Sequence, residues 1–168
     1  MKIGLISDTH SHLEDGVFYH FKNCDEIWHA GDIGNVETLE KLEAFKPVRA
    51  VWGNIDGHKI REATPENQFL DIEGRRILIT HIAGKPPSYT ARVKVMIARY
   101  RPHILICGHS HILKVAYDDK NNLLFINPGA AGIQGFHKMK TLLRFEIENA
   151  RIFNMEVVEL GPRGTLVK

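Results

Sequence analysis

A chain of 168 residues, 43% hydrophobic and 25% charged, has the size and make-up of one globular domain with its own core, so residues 1–168 are expected to fold as a single domain. A formal net charge of +2, with Lys and Arg scattered along the chain, argues against a stable nucleic-acid partner and leaves nucleic acid open only as a substrate. The apolar start at residues 1–7 is too short for a secretion signal or a membrane span, and Cys24 and Cys107 lack Cys-x-x-Cys spacing. A cytoplasmic protein with two buried thiols and no membrane partner is expected.

In chain order, residues 3–7, 26–29, 48–52, 77–80 and 104–107 are short apolar runs that stop at Asp, Gly or His and read as strands buried on both faces. Between the second and third, Val36, Leu39, Leu42 and Phe45 fall at helical spacing, with Asn35 as N-cap and Pro47 closing the segment. A second helical pattern covers residues 91–101, with Val93, Ile97 and Tyr100 on one face and Pro102 ending it. Beyond Ile112 the pattern turns to strands at residues 112–117, 123–127, 142–147 and 152–160, the first two joined by a polar hairpin loop at 118–122. An α/β first half followed by a strand-rich second half predicts two packed sheets with helices outside.

The chemistry sits where the apolar runs end: Asp8-Thr9-His10, Gly31-Asp32, Gly53-Asn54, His81 and Gly108-His109-Ser110-His111. A lone Asp-x-His or His-x-His arises readily by chance, so their joint placement carries the argument. At a strand end, residues i and i+2 point to the same side and can approach one place. Each Gly precedes a candidate where the backbone must turn sharply beside a crowded site. Asp8, His10, Asp32 and His111 suffice for one divalent ion, and Asp32, Asn54, His81 and His109 for a second, with the Asp32 carboxylate bridging. Two divalent ions, two carboxylates and a bridging hydroxide leave one net positive charge, which attracts an anionic phosphate ester. Such pairs, roughly 3.5 to 4 Å apart, activate water and stabilise in-line displacement.

This ordered set resembles that of the calcineurin-like metallophosphoesterase family. Gly53-Asn54-Ile55-Asp56, Asn127-Pro128-Gly129 and the short chain resemble its small YfcE-like phosphodiesterase subgroup. The resemblance implies a four-layer α/β/β/α sandwich of two mixed sheets flanked by helices, the same metal assignments, and Mn²⁺ as frequent activator; the nitrogen and oxygen donors also suit Fe, Ni or Zn. It implies a phosphodiesterase acting on a small-molecule diester or nucleotide by attack of a metal-bridged hydroxide, and leaves a homo-oligomer open. Because a member of this fold serves as a protein-binding scaffold in retromer, the alternative is a non-catalytic interaction module.

Two positions depart from the family pattern. Many larger members carry a His after the Asn of the Gly-Asn motif as proton donor to the leaving group, where this chain has Ile55. His12 and His58 are the candidates to replace it, beside Asp32 and Asn54 in the catalytic set. The run His81-Ile82-Ala83-Gly84 replaces a longer Gly/His-rich segment of relatives. His29 reads as a core or supporting histidine, Asp56 as closing a turn or orienting Asn54, and Arg92 and His137-Lys138 as solvated.

Overall fold

The computed structural model describes residues 1–164. Strand β1 (Lys2–Ile6) leads to helix α1 (Asp15–Phe21), then β2 (Glu26–His29), α2 (Val36–Phe45), β3 (Val48–Ala50) and α3 (His58–Ala63). A hairpin of β4 (Asn67–Ile72) and β5 (Arg75–Thr80) follows, then a small one of β6 (Gly84–Lys85) and β7 (Ser88–Tyr89), then α4 (Ala91–Tyr100) and β8 (Ile104–Ile106). Strands β9 (Leu113–Asp118), β10 (Leu123–Pro128), β11 (Met139–Glu148) and β12 (Arg151–Pro162) complete the chain.

The strands form two five-stranded mixed sheets, in the orders β12-β11-β1-β2-β3 and β4-β5-β8-β10-β9. Within the first, β1, β2 and β3 run parallel; within the second, β5, β8 and β10 do. The largest core cluster lies between the sheets, where Ile3, Leu5, Trp28, Leu143 and Phe145 of one meet Ile77, Ile79, Ile104, Ile106 and Ile126 of the other. Alternation sends the remaining side chains outward. Ile6, Ile27 and Leu142 pack with Val17 and Phe21 of α1 and Leu42 of α2, while Leu78, Leu105 and Phe125 pack with Val93 and Ile97 of α4. Apolar residues on both faces make these continuous hydrophobic runs, and the result is the expected α/β/β/α sandwich.

Local chemistry starts and stops the helices. Asn35 caps α2 by accepting the Thr38 amide at 3.0 Å, and Thr90 caps α4 by accepting the Val93 amide at 3.3 Å. Helix α4 ends with Arg101 in the left-handed region, φ 46°, one residue before Pro102. Helices α1 and α3 and strand β4 were not anticipated. Each is short, and β4 lacks strict alternation; its tight Glu73-Gly74 turn, with φ of 50° and 75°, is the signal that could have marked the hairpin. Cys24 and Cys107 are buried free thiols. Among the described residues, no helix is long and apolar enough to cross a membrane.

Candidate metal centre

The parallel strands β1, β2, β3, β5 and β8 each release the chain at their C-terminal ends into a turn that carries one cluster: Asp8 and His10, Asp32, Asn54, His81, and His109 with His111. Backbone bonds lock these turns together. Asp8 N–H donates to Gly31 O and His10 N–H to Asp32 O, both at 3.0 Å, and Gly108 N–H reaches His81 O at 3.1 Å across the two turns of the second sheet. Ala131 N–H donates to Ser7 O at 3.0 Å and so joins the sheets at this edge. A crevice beyond the carboxyl ends of parallel strands is where α/β folds gather polar side chains.

Two sets of donor atoms result, each within 4.8 Å of one another: Asp8, His10 and His111, and Asp32, His81 and His109. His111 Nε2 lies 3.2 Å from Asp8 Oδ1, and His81 Nε2 lies 3.2 Å from Asp32 Oδ1. The Asp32 carboxylate also faces the other set, with Oδ2 3.6 Å from His10 Nε2. His81 Nδ1 sits 2.8 Å from the Ala30 carbonyl, which only accepts, so Nδ1 carries the proton and the neutral ring turns a bare Nε2 toward a carboxylate oxygen. Lone pair against lone pair at that distance is repulsive unless a proton or a metal ion lies between them. The Nε2 atoms of His10 and His81 are both buried without a hydrogen-bond partner, as ligand atoms awaiting an ion would be. Nitrogen and oxygen donors with no thiolate fit a divalent transition metal.

The electrostatics show the same demand. Burial lowers the pKa of His81, but the Asp32 carboxylate beside Nε2 and the charges of Asp8 and Asp32 outweigh it, and the net shift is upward: these carboxylates favour a cation at Nε2, a proton where no metal ion is bound. Burial raises that of Asp32, and the hydrogen bond and charge of His81 with the Ile55 amide reverse it, to a net lowering. Burial and then the neighbouring His81 lower the pKa of His109, which keeps that ring neutral and able to ligate.

Crowding explains two of the glycines. A Cβ at Gly53 would fall 2.1 Å from Asp32 Oδ1, and one at Gly108 would fall 2.0 Å from Ser7 Oγ and 2.7 Å from Asp8 Oδ2. The sharp backbone expected at these glycines belongs largely to the polar residues instead, because Asp8, His10, Asp32, His109 and His111 all have positive φ.

Several supporting contacts were not legible in the sequence. Ser7 Oγ donates to Asp8 Oδ2 at 2.7 Å, and the His109 amide reaches both Asp8 oxygens at 3.1–3.2 Å. Asp56 does more than close its turn. Its buried carboxylate accepts the amides of Ile33 at 3.1 Å and of Gly34 and Gly53 at 2.7 Å, tying the turn after β2 to the turn after β3. Asn127 Nδ2 donates to Gly108 O at 2.8 Å and steadies the histidine turn. His137 is not the solvated loop residue expected, since its ring lies against His111. Gly132 and Gly135 just before it were the available signal, as glycines permit close approach.

The remaining candidates take separate places. Asn54 is exposed in the turn after β3, and its carbonyl accepts from Arg61 at 3.4 Å. His12 pairs with Glu14 at 3.2 Å, and His58, its side chain 85% exposed at the start of α3, pairs with Glu62 at 3.3 Å. Neither falls within the two donor sets. Ile55 donates its amide to Asp32 Oδ1 at 3.1 Å while the residue is 45% exposed. Arg92 is held by Asn67, Thr80 and Glu66 beside β5. His29 is fully buried and supports rather than ligates: its Nδ1 accepts the Gly31 amide at 3.2 Å, and its Nε2 meets Thr9 Oγ1 at 2.9 Å.

A four-layer sandwich with two nitrogen- and oxygen-donor sets over its converging strand ends is the architecture of a metal-dependent phosphoesterase. The calcineurin-like phosphoesterase superfamily domain matches residues 1–150, and the chain belongs to that family. It is 33% identical over 135 residues to a protein of Methanothermobacter thermautotrophicus named "Probable metallophosphoesterase", a match covering 77% of each chain. It is 25% identical over 145 residues to a phosphodiesterase of Methanocaldococcus jannaschii, covering 77% of this chain and 83% of the other. Similar solved structures include an archaeal phosphodiesterase, with TM-score 0.77 and 22% identity over 95% of this chain and 100% of that one. Zinc-bound Vps29 from Entamoeba histolytica has TM-score 0.73 and 18% identity, covering 96% of this chain and 99% of the other. These two structures show a shared fold.

Proposed function

We propose that this metallophosphoesterase is a dinuclear phosphodiesterase, with Asp8, His10, Asp32 and His111 holding one divalent ion and Asp32, Asn54, His81 and His109 the other. The position of the Asp32 carboxylate carries the reading, because its two oxygens face histidines of opposite donor sets. When bound, two such ions supply Lewis acidity that activates water and neutralises phosphoryl oxygens. The chain supplies the rest. Ser7 and the His109 amide hold Asp8 in place, and the Ile55 amide holds Asp32. With only two carboxylates among the seven donors, the loaded centre keeps positive charge and draws in an anionic diester.

At position 55 the side chain has no proton to give, so leaving groups that depart as weak bases, such as aryl phosphates, are favoured. Diester rather than monoester preference is supported by the relationship to the Methanocaldococcus phosphodiesterase. Mn²⁺ is the ion proposed, with Fe, Ni or Zn compatible with the donors. A small-molecule diester is the substrate class, in a cytoplasmic setting.

Elemental analysis after Mn²⁺ loading should find about two ions per chain, with hydrolysis of bis(4-nitrophenyl) phosphate. Asp32→Asn should lose both ions together and lower turnover by more than the about 10–100-fold that loss of a supporting residue costs. An active, fully loaded Asp32→Asn protein would sink the bridge. A wild-type chain that takes up one ion or none and hydrolyses nothing would instead support the non-catalytic scaffold of the same fold.

A further inference from the structure

The loop between β10 and β11 lays a second imidazole on His111. His137 Nδ1 lies 3.2 Å from His111 Nδ1, and His137 Nε2 lies 2.9 Å from the Gly132 carbonyl oxygen. A carbonyl only accepts, so His137 Nε2 carries a proton. In the neutral His137 ring Nδ1 is then bare, and the proton between the rings belongs to His111 Nδ1. That fixes His111 in the tautomer whose Nε2 is bare, and this nitrogen is the one that lies 3.2 Å from Asp8 Oδ1 within the donor set.

The loop is shaped around this contact. Gly135 has φ +116°, and a Cβ there would fall 2.2 Å from His111 Nδ1 and 3.3 Å from His137 Nδ1. A Cβ at Gly132 would fall 2.4 Å from the Thr9 carbonyl oxygen, so the same loop is seated against the Asp8–His10 segment. Glycine at 135 and 132 lets the backbone come close to the ring pair and to the Thr9 carbonyl.

We propose that His137 is a positioning residue for the metal centre, acting as a neutral acceptor that sets the tautomer and ring orientation of His111 and so supports the ion held with Asp8 and His10. This rests on the two-ion reading above. A ligating His ordinarily donates its second N–H to a carboxylate, a carbonyl or water, as His81 does to Ala30. An imidazole in that place orients the ligand without adding negative charge, which leaves the centre's positive charge for the anionic substrate.

Zn²⁺, a diamagnetic ion, permits a test that does not depend on turnover. In ¹⁵N NMR of the Zn²⁺-loaded chain, the His111 ring should shift on metal addition, and His137 should be neutral with its proton on Nε2. If His111 does not respond to Zn²⁺, the two-ion reading fails and takes this proposal with it. If His111 responds but His137 is protonated at Nδ1, the proposal alone is overturned. In Zn²⁺ titrations His137→Ala should weaken one of the two binding steps about 10–100-fold, and His137→Gln, whose amide oxygen can accept from His111, should recover part of that loss. No loss, or equal loss at both steps, overturns it.

Discussion

Asp8, His10, Asp32, His109 and His111 hold left-handed backbone, with φ of 54°, 48°, 55°, 67° and 57°. Residues other than glycine avoid this region at a cost of roughly 1–2 kcal/mol each, and such strain collects at functional sites. The fold therefore gives up stability to aim these side chains, which yields a prediction at one exposed position. His109→Gly should add up to about 1 kcal/mol to urea stability measured in chelator, because the amide to Asp8 is kept, while the affinity for one metal ion falls. A destabilised variant would show that the His109 backbone is not strained. His29 gives a second prediction. Burial lowers its pKa from the ordinary 6.5 to about 4, and its Nδ1 is committed to the Gly31 amide. Between those values the unfolded chain binds the proton more readily than the folded one, so this contribution is full above pH 6.5 and is lost as pH falls toward 4. His29→Gln can make the same two hydrogen bonds without titrating. In metal-free protein, wild type should lose on the order of 3 kcal/mol relative to that variant over this window, and parallel pH profiles would refute the assignment.

The ends of single elements come together through links that no single element specifies. Asp56 follows β3, yet its carboxylate accepts amides of the turn after β2 as well as that of Gly53. Asp56→Ala would leave three amides short of an acceptor, a loss of about 3 kcal/mol or more, and should loosen metal binding as Asp32 and Asn54 drift apart. Denaturant unfolding alongside metal titration checks both, and a variant with unchanged stability would mean water replaces the carboxylate freely. The long elements with clear periodicity, α2 and α4, were legible, the first together with its cap at Asn35, whereas the Thr90 cap of α4 emerged only in the structure. Helices α1 and α3, of 7 and 6 residues, were not, because so few turns give no decisive period and their place is set by packing of Phe21 and Ile60. Strand β3 ends at Ala50 although the apolar run continues to Trp52, whose amide bonds to Pro65 outside the sheet.

Across the whole molecule, the two sheets are held face to face by aromatic and aliphatic side chains, with Phe145 and Trp28 of the first sheet, packed edge to face at 5.9 Å, meeting the isoleucines of the second. Phe145→Ala should cost about 3–5 kcal/mol in denaturant unfolding. It should also weaken metal binding, because the donors come from both sheets: Asp8 and Asp32 from one, and His81, His109 and His111 from the other. Destabilisation with metal affinity intact would mean that the turn-to-turn hydrogen bonds alone hold the centre. By itself the sequence determined what short-range chemistry can encode: apolar runs, two helices and the cap of one of them, and metal-binding residue types at strand ends. Only the tertiary structure decided which histidine nitrogen faces which carboxylate, that Asp56 ties two turns together, that His137 leans on His111 and which groups the core histidine His29 bonds. Those facts depend on contacts between residues far apart in the chain, which arise only once the two sheets pack.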